Sequence, residues 1–152
     1  MMRMFLIVVT VLSLSGIAAV AHAQDAATLQ VLNHHIAAIK AGNLEALMSD
    51  YADDALVIAP HGLVPGQTDV WGVDVFAGKE NVRKLFAVLT DKDHLKDIVT
   101  MTQTFENRGH DTILMHWTQH KGTPQEVHGT DIWVIRNGKV ITQVLTAEPP
   151  KK

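Results

Sequence analysis

Asp131 lies in the stretch Gln125 to Gly138, QEVHGTDIWVIRNG, directly before the apolar run Ile132, Trp133, Val134 and Ile135. A strand that is apolar on both faces is covered on both. A carboxylate inside it is costly unless it is paired or protonated, and burial raises its pKa. Asp131 is therefore the first candidate for acid–base chemistry. Two histidines supply possible partners, His116 in a strand-like segment and His35 in a helical stripe. Asp131 with either imidazole can move a proton beside a carbonyl while the other group steadies the enolate. Proton transfer of this kind is typically worth ~10²–10⁴-fold in rate. The scheme calls for no cofactor.

Metal chemistry has weaker support. There are no cysteines among the 152 residues, which removes thiol catalysis and thiolate ligands together. His116 and His120 share a strand face, but four residues of strand separate them by about 13 Å. His34 and His35 diverge on a helix, and no helix carries an H-x-x-x-H pair. His110 and His128 approach one another only through strand pairing, so no metal site is expected.

These side chains have to be placed by the elements that carry them. Asp25 to Ala41 repeats Leu29, Leu32, Ile36 and Ile39 at helical spacing. His35 lies in that stripe and faces the core, while His34 points to solvent. Gly42 stops the helix, and Asn43 caps a second helix running to about Tyr51. Ala55 to Ala59 reads as a short buried strand, and Val70 to Phe76 as a second strand or an irregular edge. Lys79 to Leu89 is a third helix, with Val82, Leu85, Phe86 and Leu89 inward. Four strands follow, over Asp97–Glu106, Asp111–His120, Gln125–Arg136 and Lys139–Ala147. Asn137-Gly138 is the strongest short hairpin signal in the chain. Helices followed by an antiparallel run give an α+β layout.

Alternation then puts Leu114, His116 and Thr118 on one strand face, and Val127, Gly129, Asp131 and Trp133 on one face of the next. Tyr51 and Phe86 supply aromatic walls. The substrate-binding set expected from this placement is Tyr51, Phe86, Leu114, Thr118, Val127 and Trp133. Plainer assignments exist for each catalytic candidate. Asp131 can serve structure alone by bonding Tyr51 or a histidine. His116 turns to the outer face if strand phase slips at a bulge. His35 can be a core histidine. Asp53-Asp54 read as helix-end residues, Asp91-Lys92-Asp93-His94 as a solvated linker, and Trp71 as a lid or an exposed contact.

The first 23 residues read as a signal peptide. Arg3 precedes an apolar run, Phe5 to Val20, and Ala21-His22-Ala23 matches an A-x-A cleavage signature. The run is shorter than the ~20 residues a membrane span requires. The expected organisation is a leader over 1–23 cut after Ala23, one domain over 24–148, and a tail over 149–152. The product is then periplasmic or secreted, with no membrane association once the leader is gone. The formal net charge of −3, without a basic run, lacks the footprint of a nucleic-acid binder.

Three motifs carry a family resemblance. Gly42-Asn43-Leu44-Glu45-Ala46-Leu47 followed by Tyr51-Ala52-Asp53-Asp54-Ala55 resembles the second helix of SnoaL-like and ketosteroid-isomerase-like proteins, of the nuclear transport factor 2-like superfamily. Phe76-Ala77-Gly78-Lys79-Glu80-Asn81 resembles the glycine before the third helix. Gly129-Thr130-Asp131-Ile132-Trp133, then Asn137-Gly138-Lys139-Val140, resembles the closing hairpin. The resemblance spans Asp25 to Ala147. It implies a cone-shaped barrel, three N-terminal helices packed in the concave face of a curved, mostly antiparallel sheet. It also implies a homodimer joined through the outer face of that sheet.

Functions in the family range over isomerases, cyclases, dehydratases, epoxide hydrolases and binding modules, so the fold alone does not name one. The resemblance places Asp131 where ketosteroid isomerases keep a protonated aspartate; SnoaL-like cyclases use a cavity aspartate as acid–base, and Asp131 is the natural candidate for that role. His35 falls where the isomerases have an oxyanion-binding tyrosine. Their general-base aspartate falls on Ala59, a departure that removes support for the isomerase reaction itself. The expected function is acid–base isomerisation, cyclisation or hydration of an apolar, carbonyl-bearing small molecule. The competing class is a non-catalytic ligand-binding or accessory module, which gains if no other group such as His61 replaces the missing base.

Overall fold

The computed structural model describes residues 15–67, 71–109 and 111–148. Most of the expected leader, the tail 149–152 and His110 lie outside the described residues.

Helix α1 spans Ser15–Lys40 and buries Leu32, Ile36 and Ile39, while Leu29 stays 37% exposed at the edge of the stripe. It ends where glycine permits a left-handed turn. Gly42 has φ 64°, its N–H bonds the Ile39 carbonyl (3.0 Å), and Asn43 N–H bonds the Ala38 carbonyl (2.9 Å). These two bonds satisfy carbonyls that the helix end would otherwise orphan. Asn43 then opens helix α2, Leu44–Met48, with its side-chain oxygen accepting from Ala46 N–H at 3.0 Å. No described helix is long and apolar enough to cross a membrane.

Strand β1 covers Tyr51–Pro60 and β2 covers Val73–Ala77. Helix α3, Lys79–Leu89, turns Val82, Leu85, Phe86 and Leu89 inward and packs on β1. A fourth helix, α4, spans Lys92–Ile98, capped by Asp91 through the N–H groups of Asp93 and His94. Strands β3 (Thr102–Gly109), β4 (Thr112–Gln119), β5 (Val127–Arg136) and β6 (Lys139–Ala147) complete the chain. The turn between β5 and β6 has φ 51° at Asn137 and 71° at Gly138, the positive pair that a two-residue hairpin of this hand requires.

The six strands form one curved, unclosed sheet in the order β2-β1-β6-β5-β4-β3. Every pairing is antiparallel except β1 with β6. The core lies between the helices and the inner face of the sheet, where Trp133, Tyr51, Phe76, Phe86 and Leu32 are the largest fully buried side chains. The α+β cone expected from the sequence is the fold observed.

Five local expectations are corrected. Asp53 and Asp54 lie within β1 and not at a helix end, and Asp97 lies in α4, with the following strand starting at Thr102. Tyr51 does not end α2; it begins β1, paired with Val140 across a register shift. Asp91 to His94 is not a solvated linker, because Asp91 caps α4 and the next three residues form its first turn. Strand β4 also has the opposite phase. Its register sets Met115 beside Asp131 and His116 beside Thr130. Ile113, Met115 and Trp117 therefore face the core, and Leu114, His116 and Thr118 face outward.

Candidate active site

Asp131 projects from the inner face of β5 and is 4% exposed. Two side chains hold it. Trp117 Nε1 donates to Oδ1 at 2.9 Å, and Gln143 Nε2 donates to Oδ2 at 2.9 Å. The far end of Gln143 accepts from the Tyr51 hydroxyl, so a buried chain runs from Tyr51 through Gln143 to Asp131. Both donors come from neighbouring strands in the required phase. Trp117 lies opposite Gly129 on β4, and Gln143 lies opposite Trp133 on β6.

Gly129 is needed for this arrangement. A Cβ at that position would lie 2.1 Å from the Trp117 ring and 2.2 Å from the Thr146 carbonyl oxygen. Real Cβ contacts do not come so close. The absent side chain lets the indole lie across the sheet and reach Asp131.

A cavity of about 290 Å³ opens over this network. Its walls are mostly apolar and include Ile36, Ile39, Phe86, Met115, Val127 and Trp133. His94, Asp97 and Ile98 of α4 also line it, and Asp97 accepts a 3.0 Å contact from His120 Nε2. Asp131, Gln143 and His35 are among its polar lining groups.

Burial holds the Asp131 carboxyl up at about 7, against the smaller opposing effect of the Trp117 and Gln143 donors. The group is thus divided between acid and carboxylate near neutral pH. Both its oxygens already receive N–H donors. Its own proton, when present, must go to an acceptor, either a ligand oxygen or a turned Gln143 amide. Burial, then the negative charges of Asp131 and Asp50, push the Tyr51 hydroxyl well above its ordinary value, so it remains a donor.

His35 is 2% exposed and sits edge-on to Tyr51, Phe86 and Trp133, with ring centroids 5.6, 5.5 and 4.7 Å away. Burial, then the neighbouring His34, lower its pKa to about 3. It is a neutral imidazole at physiological pH. His35 Nδ1 and Trp133 Nε1 are buried with no hydrogen-bond partner.

Of the sequence-derived candidates, Asp131, His35, Phe86, Val127 and Trp133 line the cavity. Tyr51 does not; it backs the wall behind Gln143. His116 is removed from the site altogether. It is half exposed on the outer face, with Nδ1 3.1 Å from Thr130 Oγ1 and Nε2 3.8 Å from Glu106. Leu114 and Thr118 share that face. Asp131 hydrogen-bonds neither histidine expected as its acid–base partner, nor Tyr51 directly; its partners are Trp117 and Gln143.

Sequence reasoning missed Trp117 and Gln143. Each had a signal. Trp117 alternates with Ile113 and Met115, and Gln143 is a polar residue inside the apolar run Val140 to Leu145. His61 is 2.6 Å from the fully buried Asp74, beside Pro60 and Leu63 at the cavity wall. Among the described residues no three histidine, aspartate or glutamate side chains come together as metal ligands. Trp71 is 99% exposed.

Comparison with known proteins agrees with this architecture. The SnoaL-like domain family matches residues 32–143. No functionally curated protein matches the chain. A nuclear transport factor 2-like protein of unknown function from Burkholderia xenovorans superposes with a TM-score of 0.63 at 19% identity, over 85% of this chain and 88% of that one. A conjectured isomerase from Bacillus subtilis gives 0.61 at 14% identity, over 83% and 89%. TerC, co-crystallised with polyporic acid, gives 0.57 at 14% identity, over 80% and 92%. At these identities the likeness is one of fold.

Proposed function

The chain belongs to the SnoaL-like domain family, and we propose that it is an acid–base enzyme acting on an apolar, carbonyl-bearing small molecule. The observation that carries this reading is the Asp131 carboxyl, buried in the wall of an apolar cavity, where burial raises its pKa to about 7. A group with that pKa both gives and takes a proton at neutral pH. In its carboxylate form Asp131 removes a proton beside the ligand carbonyl, and the acid so formed hydrogen-bonds the enolate oxygen and then returns that same proton to the oxygen or to another carbon. Phe86, Met115, Val127 and Trp133 exclude water and bind the apolar body. His35 supplies a second, uncharged polar group in the same cavity. Isomerisation, cyclisation and hydration all use these steps.

Exchange of the α-hydrogens of an apolar cyclic enone for deuterium tests the proposal by NMR. The wild type is expected to accelerate exchange, and Asp131→Asn to lose about 10²–10⁴ of that rate. A wild type that binds the enone without exchanging it refutes catalysis. Two observations favour that second reading, a non-catalytic binding module. Ala59 offers no base on β1, and both Asp131 oxygens are already engaged.

The same proposal includes export and pairing. The apolar run and the Ala21-His22-Ala23 signature support cleavage after Ala23 and a periplasmic or secreted location; N-terminal sequencing of the mature protein tests this. Leu114, Ile132 and Val144 align across the outer face through the strand register, and Ile132 is 38% exposed there. That row supports a homodimer through the sheet. Ile132→Glu is expected to yield a monomer by light scattering, and an unchanged mass would exclude this face.

A further inference from the structure

Asp50, the last residue before β1, is buried between two adjacent histidines of α1. His34 Nδ1 lies 2.8 Å from Asp50 Oδ1 and 3.0 Å from Oδ2, while half the His34 side chain is in solvent. On the inner side, His35 Nδ1 lies 3.9 Å from Asp50 Oδ2 and has no other partner. Consecutive helical residues diverge, so one carboxylate can address both rings only from between them. His34 is the solvent end of this cluster, and His35 lines the cavity.

We propose that Asp50 is a positioning residue that fixes His35 as its Nδ1–H tautomer, leaving Nε2 as a neutral hydrogen-bond acceptor for a ligand in the cavity. This rests on the reading of the cavity as a ligand site. It adds a chemical requirement, a hydroxyl or enol hydrogen on the ligand in addition to the carbonyl directed to Asp131. The physical basis is simple. A neutral imidazole has one N–H and one lone pair, and the partner of one nitrogen decides the state of the other. A carboxylate attracts the N–H and repels the lone pair. At 3.9 Å this is electrostatic guidance, not a formed hydrogen bond. It operates in a buried setting where such guidance is weakly screened.

The remaining groups around the cluster agree with the assignment. Lys139, whose Nζ bonds the Ser49 carbonyl, lies on the Asp50 side and helps keep it ionised. Burial pushes the Asp50 carboxyl up, and His34 and Lys139 pull it back. Burial keeps His35 from charging, so its tautomer alone decides whether it gives or accepts. Tyr51, Phe86 and Trp133 fix the ring plane.

Long-range ¹H–¹⁵N correlation of the histidine rings tests the proposal on the full-length protein without any ligand. At neutral pH His35 is expected to show a protonated Nδ1 and an unprotonated Nε2. In Asp50→Leu the tautomer is expected to move towards Nε2–H. In His34→Gln, which keeps the carboxylate, it is expected to stay. A wild-type His35 found as Nε2–H overturns the proposal, and that measurement needs no variant to fold. A tautomer that survives Asp50→Leu, or that is lost in His34→Gln, also overturns it. The enone experiment fails or succeeds separately, because it reads Asp131 and not the state of His35.

Discussion

Replacing Asp131 by asparagine should make the protein more stable above neutral pH and less stable in mild acid. The carboxyl has a pKa of about 7 in the folded protein against 3.8 when free. Three units at ~1.4 kcal/mol each give about 4 kcal/mol of pH-dependent destabilisation. The sign follows from proton binding. The folded state holds this proton more tightly than the unfolded state. The contribution of this group to stability is therefore greatest below pH ~4, declines as pH rises towards about 7, and is flat beyond it. Asparagine cannot ionise and removes this decline. It also carries a pH-independent penalty. Its amide meets the Trp117 and Gln143 donors, and it can accept only one unless Gln143 turns and donates to Tyr51. That mismatch is worth about 1–3 kcal/mol. Urea unfolding of both proteins from about pH 4 to 8.5 measures the difference, and contributions from other groups cancel. The gap should swing by roughly 4 kcal/mol and change sign. A constant gap across that range would show that Asp131 is ionised throughout, and the acid–base argument would fall with it.

Other substitutions separate the parts of the site. Gly129→Ala should force the Trp117 indole off its seat, at a cost of about 1–3 kcal/mol, with loss of the native Trp117 indole N–H resonance; an unshifted resonance would contradict the packing. Trp117→Phe removes a donor that favours the carboxylate, so the Asp131 pKa should rise further above about 7, read by ¹³C titration of the carboxyl, and an unchanged or lower value would contradict the assigned hydrogen bond. His116→Ala should leave ligand affinity and enone exchange unchanged within twofold, because the side chain lies on the outer face; a larger loss would place it back in the chemistry.

Much of this protein is legible in its sequence alone. The Leu32, Ile36 and Ile39 stripe, the Gly42 stop, the Val82 to Leu89 face of α3 and the Asn137-Gly138 hairpin are local signals, and local physics produces them. Asp131 was also legible, because a lone carboxylate in an apolar strand needs an explanation wherever it lies. Its phase with Gly129 and Trp133 follows from alternation along one strand.

The partners of Asp131 were decided elsewhere. Trp117 and Gln143 are 14 and 12 residues away in sequence, and only strand register brings them to its two oxygens. Strand β4 shows why alternation falls short. Its segment TILMHWTQ carries apolar residues on both faces, and choosing His116 as the inward residue set every neighbour on the wrong side. Pairing Met115 with Asp131 removes that choice. Tyr51 joined β1 because β6 was there to pair with it. Side-chain type and local propensity thus determined the elements, the core stripe and the residue that needed chemistry. Cross-strand register and burial, which depend on the whole sheet, decided what that residue touches and the pKa it acquires.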